Sequence, residues 1–167
     1  EEIVRRADFA MYNAKRAGGN TIRRFDQAML QAMEARRLLE DDLRNAVARS
    51  EFELHFQRQV DREGRTVGAE ALVRWRHPRD GLVAPDRFIG LAEETGLIVP
   101  IGTWVLEQVC ARLREWQARP ETRDLALAVN VSARQFYQAD FVDVVVGGLR
   151  RVGADPRRLT VEITESL

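Results

Sequence analysis

The 167 residues are enough to bury a real core, and 45% hydrophobic with 31% charged residues is ordinary usage for a folded domain. Lys plus Arg and Asp plus Glu each number 26, which argues against a general nucleic-acid-binding role, because that needs a basic surface to displace counterions. The balance does not exclude a small phosphate-bearing ligand held by one or two arginines. The single cysteine, Cys110, cannot make an internal disulfide and reads as a small core residue. No Cys/His cluster has zinc spacing, no apolar run approaches membrane-spanning length, and no signal peptide opens the chain. The chain starts at Glu1 and stops at Leu167, so the expectation is a cytoplasmic piece of a longer protein.

Residues 1–17 predict a helix with Ile3, Ala7, Met11 (or Ala10) and Ala14 on one face, ended by Gly18-Gly19. Ile22 and Phe25 then suggest a short strand. Asp26 is the expected N-cap of a second helix running to about Arg49, with Met29, Met33, Leu39, Leu43 and Val47 at roughly helical spacing.

Residues 51–60 read as a strand with His55, Gln57 and Gln59 on one face and Leu54 and Phe56 on the other, followed by a turn over Asp61-Arg62-Glu63-Gly64. The next strand includes Glu70-Ala71-Leu72-Val73-Arg74-Trp75. Strand alternation puts Ala69, Ala71, Val73 and Trp75 under helices and turns Glu70, Leu72 and Arg74 the other way. A carboxylate and a guanidinium on one face are costly to bury unless they bind something. A metal ion for Glu70 and a phosphate for Arg74 would satisfy both. By local pattern alone, a structural ion pair or an exposed sheet face is the simpler account.

His77-Pro78 ends that strand, and a structural role is expected for His77 and a packing role for Trp75. Pro85-Asp86 starts a short helix over Phe88, Leu91 and Ala92, stopped by Gly96. A long helix from Ile101 to Arg119 buries Val105, Leu106, Val109, Leu113 and Trp116. Leu125 to Val131 is a strand with an aliphatic face and a small-residue face around Asn130. Phe141 to Val152 is a helix ending at Gly153, and Leu159 to Thr164 is a strand with Glu162 opposite Val161 and Ile163. Arg134 and Gln135 could approach a substrate from a loop.

Strands separated by helices of crossover length predict a parallel α/β sheet, either doubly wound or a barrel. The barrel is favoured because Glu70, Asn130 and Glu162 sit near the C-terminal ends of their strands, where barrel enzymes place functional groups. Two carboxylates and an amide, with no His or Cys, suit Mg2+ or Mn2+.

Glu70-Ala71-Leu72-Val73-Arg74 is similar to the Glu-x-Leu-x-Arg motif of the EAL domain, the bacterial cyclic-di-GMP phosphodiesterases. Phe88-Ile89 with Ala92-Glu93-Glu94-Thr95-Gly96-Leu97-Ile98, Val129-Asn130-Val131-Ser132 and Glu162-Ile163-Thr164-Glu165 follow in the family's order, so the resemblance covers about residues 38–167. The stretch Ala7 to Lys15 with Gly18-Gly19-Asn20 resembles the closing helix of a GGDEF (diguanylate cyclase) domain, without that family's catalytic loop and with Gly19 where a basic residue is usual. These resemblances imply a GGDEF tail (1–25), a linker helix (26–50) and the N-terminal portion of an EAL domain (51–167), a partial TIM-type (β/α) barrel. They imply metal ligation by Glu70, Asn130 and Glu162, phosphate binding by Arg74, substrate contacts from Gln57 and Leu72, and pGpG as product. Arg58 stands where the family usually has proline, and the family's paired aspartates, catalytic lysine, and later glutamate and glutamine would follow Glu162. The expectation is therefore that the chain alone does not hydrolyse cyclic-di-GMP, and that its strand edges favour a homodimer or exchange of elements. A catalytically inactive module that binds cyclic-di-GMP as a receptor is the alternative. Glu165 is expected in a supporting or loop role rather than as a ligand.

Overall fold

The computed structural model describes residues 2–16, 18, 20, 22 and 26–164. The strand expected across Ile22 and Phe25 runs largely outside these residues, and Glu165 lies outside them as well. The chain forms two compact units that divide between Asp42 and Leu43.

In the first unit, helix α1 spans Glu2–Arg16 and helix α2 begins at Gln27, running on to Arg49. Asp26 caps α2 as expected, its Oδ1 accepting from the Met29 N–H at 2.9 Å. Among the described residues of α1, Ala10 is buried, whereas Ile3 and Met11 are exposed.

The second unit is a five-stranded sheet backed by helices. Its strands are β1 (Phe52–Val60), β2 (Thr66–His77), β3 (Gly81–Val83), β4 (Ala126–Ser132) and β5 (Leu159–Thr164). The order is β1-β2-β4-β5, with β3 paired to β2. Helices α3 (Ile89–Thr95) and α4 (Ile98–Gln117) connect β2 and β3 to β4, and α5 (Ala133–Phe136) and α6 (Phe141–Val152) connect β4 to β5. The sheet is open, an α/β architecture that makes up part of a barrel.

One expectation needs correction. β2, β4 and β5 are parallel, but β1 runs antiparallel to β2. The connection between them is a tight turn, too short to carry a crossover. Asp61 Oδ1 closes the turn by accepting from the N–H groups of Glu63 and Arg65, and Gly64 takes a φ of +78°. The short β3, unforeseen, folds back on β2 after a turn pinned by His77. The buried Nδ1 of that residue accepts from the N–H groups of Arg79 and Asp80 at 3.2 and 3.0 Å, so its role here is structural.

The core lies between one sheet face and the helices. Ala69, Ala71 and Trp75 of β2 and Leu127, Val129 and Val131 of β4 are buried there with Val105, Leu106, Val109 and Leu113 of α4. Trp75 is fully buried among Phe52, His77 and Phe88, with ring centroids 4.8–6.4 Å apart. Trp116 of α4 is half-buried and meets Phe56 at 5.9 Å.

Candidate functional site

The sheet register decides which polar residues meet. Gln57 of β1 lies opposite Glu70 of β2, and Glu70 lies beside Ala128 of β4. Two residues further along β4, on the same face, is Asn130, and its register partner on β5 is Glu162. The Asn130 Nδ2 donates to Glu70 Oε1 at 2.5 Å, joining residues 60 positions apart in sequence. That bond uses the amide nitrogen and one carboxylate oxygen. What the pair still offers a ligand is oxygen, Asn130 Oδ1 and Glu70 Oε2. Two carboxylates and an amide from three adjacent strands thus share one face. Such a set of oxygen donors is of the kind that holds a hard divalent cation. No group of three or more His, Cys, Asp or Glu that could hold a metal occurs among the described residues.

Leu72 and Arg74 continue the same face of β2, both half-buried. Arg74 Nη1 donates to the Val73 carbonyl at 2.9 Å. No ion pair joins it to Glu70 among the described residues, so the structural ion-pair reading of these two residues is not what the fold adopts. Opposite Arg74 stands Glu53, which contacts His55 Nε2 at 2.9 Å and binds Arg76. Those two partners, His55 first, hold the Glu53 carboxyl below its ordinary range.

A cavity of about 210 Å³ opens beside the strand ends, lined by Leu72, Pro85, Ile89, Ile101, Asn130 and Gln135 among others. Its wall is mostly aliphatic, with a few polar groups, Glu93, Asn130, Ser132 and Gln135. The loop expectation for Arg134 and Gln135 is corrected. Both belong to the short helix α5; Arg134 donates from Nη1 to the Glu93 and Glu94 carbonyls, and Gln135 is buried. Missed in the sequence was the Ser132–Gln135 capping box at the end of β4, although the signal was there: Ser-x-x-Gln is its pattern.

An open, helix-backed α/β sheet whose parallel strands β2, β4 and β5 carry Glu70, Asn130 and Glu162 on one face defines a barrel-type domain, with Glu70 in the middle of β2 rather than at its C-terminal end. Within that class, the family model for the EAL domain matches residues 40–167, and the chain belongs to this family. It is 43% identical over 166 residues to the bifunctional diguanylate cyclase/cyclic di-GMP phosphodiesterase MucR of Pseudomonas aeruginosa, covering 99% of this chain and 24% of that protein. The signaling protein YkoW of Bacillus subtilis is 36% identical over 99% of this chain and 21% of its own length. The chain thus spans about a quarter or less of these relatives. Among solved structures, the PaMucR phosphodiesterase in complex with c-di-GMP superposes with a TM-score of 0.73 at 45% identity, over 77% of this chain and 52% of that one.

Proposed function

We propose that this chain supplies one side of a divalent-metal site that hydrolyses cyclic-di-GMP to linear pGpG. The observation that carries the reading is the hydrogen bond from Asn130 to Glu70, with Glu162 in register beside Asn130. Glu70, Asn130 and Glu162 would hold Mg2+ or Mn2+. When bound, such an ion lowers the pKa of a water and neutralises charge at phosphorus. The Arg74 guanidinium would hold a phosphate of the substrate, and a planar fork of donors suits that task better than an ammonium. Gln57, opposite Glu70, and Leu72, on the cavity wall, would contact the rest of the dinucleotide. The relatives support this reading, since MucR is described as both a cyclase and a phosphodiesterase, and the similar solved chain carries c-di-GMP.

In the intact protein, Glu70→Gln should abolish pGpG formation and weaken Mn2+ binding while the fold is retained. Calorimetric binding of cyclic-di-GMP by the wild type with no release of pGpG would instead make the domain a receptor. The family's paired aspartates and catalytic lysine would follow Glu162 and are not among these residues, so the 167-residue chain alone should show no turnover.

The same reading assigns residues 1–25 to a GGDEF tail, 26–50 to a linker helix and 51–167 to the EAL portion, in a cytoplasmic segment of a signalling protein. The alignment with MucR supports it by reaching ahead of residue 40. No helix among the described residues is long and apolar enough to cross a membrane. The open sheet presents β1 and β5 as edges, and these would support a homodimer or exchange of elements. Light scattering that finds a monomer at all concentrations would remove that proposal.

A further inference from the structure

Gly102 lies inside helix α4, where glycine is about 1 kcal/mol worse than alanine and needs a packing reason. The reason is Gln135. A Cβ built on Gly102 would stand 1.5 Å from the Gln135 Nε2 and 2.3 Å from its Cδ. The missing side chain is therefore a notch in α4 that the Gln135 amide fills. At its other side, Gln135 Oε1 accepts from the Ser132 N–H and from the Ser132 hydroxyl, both at 3.2 Å, and the Gln135 N–H donates to Ser132 Oγ at 3.3 Å. Ser132 is the last residue of β4, two positions beyond Asn130 on the same strand. Arg134, directly before Gln135 in α5, adds a second anchor by donating to carbonyls in the last turn of α3, where a cation also suits the helix dipole.

We propose that Gln135, seated in the Gly102 notch, is a positioning residue for Asn130. It fastens the end of β4 to α4 and so sets where the Asn130 amide meets Glu70. The Gln135 amide lies against the α4 backbone at Gly102 on one side and is hydrogen-bonded to Ser132 on the other, so a change at Gly102 reaches the end of β4 through this one side chain. An alanine methyl at 102 displaces the Gln135 amide, and Ser132 then keeps only the bond from the Gln135 backbone N–H to its Oγ. The consequence for cation affinity, though not for the orientation of Asn130, rests on the reading of Asn130 as a metal ligand given above.

The test uses the 167-residue chain and four variants: Gly102→Ala, Gln135→Ala, the double variant, and Gln135→Met, which fills the notch without an amide. The first readout needs no metal and is the position of the Asn130 side-chain amide signals in a 15N-resolved NMR spectrum. Each single variant should move them toward values for a free amide while signals from β1 stay in place. The double variant should match Gln135→Ala alone, because the two changes remove one contact. The second readout is broadening of the same signals by added Mn2+, whose midpoint concentration should rise about tenfold in each single variant, as loss of groups that orient metal ligands does elsewhere. If the variants melt at lower temperature yet keep the Asn130 signals and the Mn2+ midpoint of the wild type, Gln135 is merely structural and the proposal falls. Should Gly102→Ala and Gln135→Ala not fold, Gln135→Met decides between these outcomes alone. A wild type whose Asn130 signals ignore Mn2+ but shift on Gly102→Ala would sink the metal reading and leave the positioning role standing.

Discussion

β4 carries two regions with opposite fates only one residue apart. Leu127, Val129 and Val131 are buried under α4; on the other face Ala128 and Ser132 are buried as well, and Asn130 between them is exposed. β2 repeats the division, with Ala69, Ala71 and Trp75 buried on one side and Glu70, Leu72 and Arg74 on the other. The helix-packed face supplies the stability, and that leaves the other face free to carry groups that contribute little to folding. Alternation lets one strand serve both ends, because successive side chains point to opposite faces of the sheet.

The largest effect should come from the packed face. Trp75→Ala empties a fully buried aromatic site and should cost about 3–5 kcal/mol in denaturant unfolding, with Leu127→Ala at about 2–5 kcal/mol. A smaller loss is expected at Gly68, where a Cβ would stand 2.5 Å from the Ala126 carbonyl oxygen. That contact is backbone and cannot swing aside, so Gly68→Ala should prise β2 from β4 for about 1–3 kcal/mol. Asn130→Ala is the direct counterpart of Leu127→Ala on the same strand. It should change stability by no more than about 0.5 kcal/mol and still remove the contact to Glu70. If its destabilisation equals that of Leu127→Ala, the division of labour between the faces is wrong.

Acid should act on the edges of the sheet before its core. The backbone N–H and then the guanidinium of Arg65 lower the pKa of Asp61; Arg157 does the same for Asp155, as His55 and Arg76 do for Glu53. Each folded pKa is depressed, so the stabilisation is present above the ordinary carboxylate pKa of about 4 and lost as pH falls through the lowered values. Hydrogen exchange in the β1–β2 turn should rise over that window ahead of β4. The smallest effect concerns Cys110, whose thiol pKa is pushed up by burial. An alkylating reagent at pH 8 should leave it intact in the folded chain and modify it after unfolding.

Much of this was legible in the residues. The Asp26 cap, the α2 and α4 helices, the two faces of β2 and the aliphatic face of β4 follow from periodicity and capping chemistry, which act within a few residues. Local pattern also picked out Glu70, Asn130 and Glu162 as polar residues with no place in a core. Strand direction was less legible, since four turn residues and a helix both join strands. β3 is too short to show a period, and its pairing depends on His77 gripping the turn that precedes it.

The sequence by itself determined which residues alternate, where helices start and stop, and which side chains are too polar for a core, because those properties depend on neighbours along the chain. Tertiary structure alone decided that β1 runs against β2, that Asn130 reaches Glu70, and that a glycine in α4 makes room for Gln135. Each of these is a contact between segments far apart in sequence, and only the closing of the sheet against its helices selects which of the compatible partners meet.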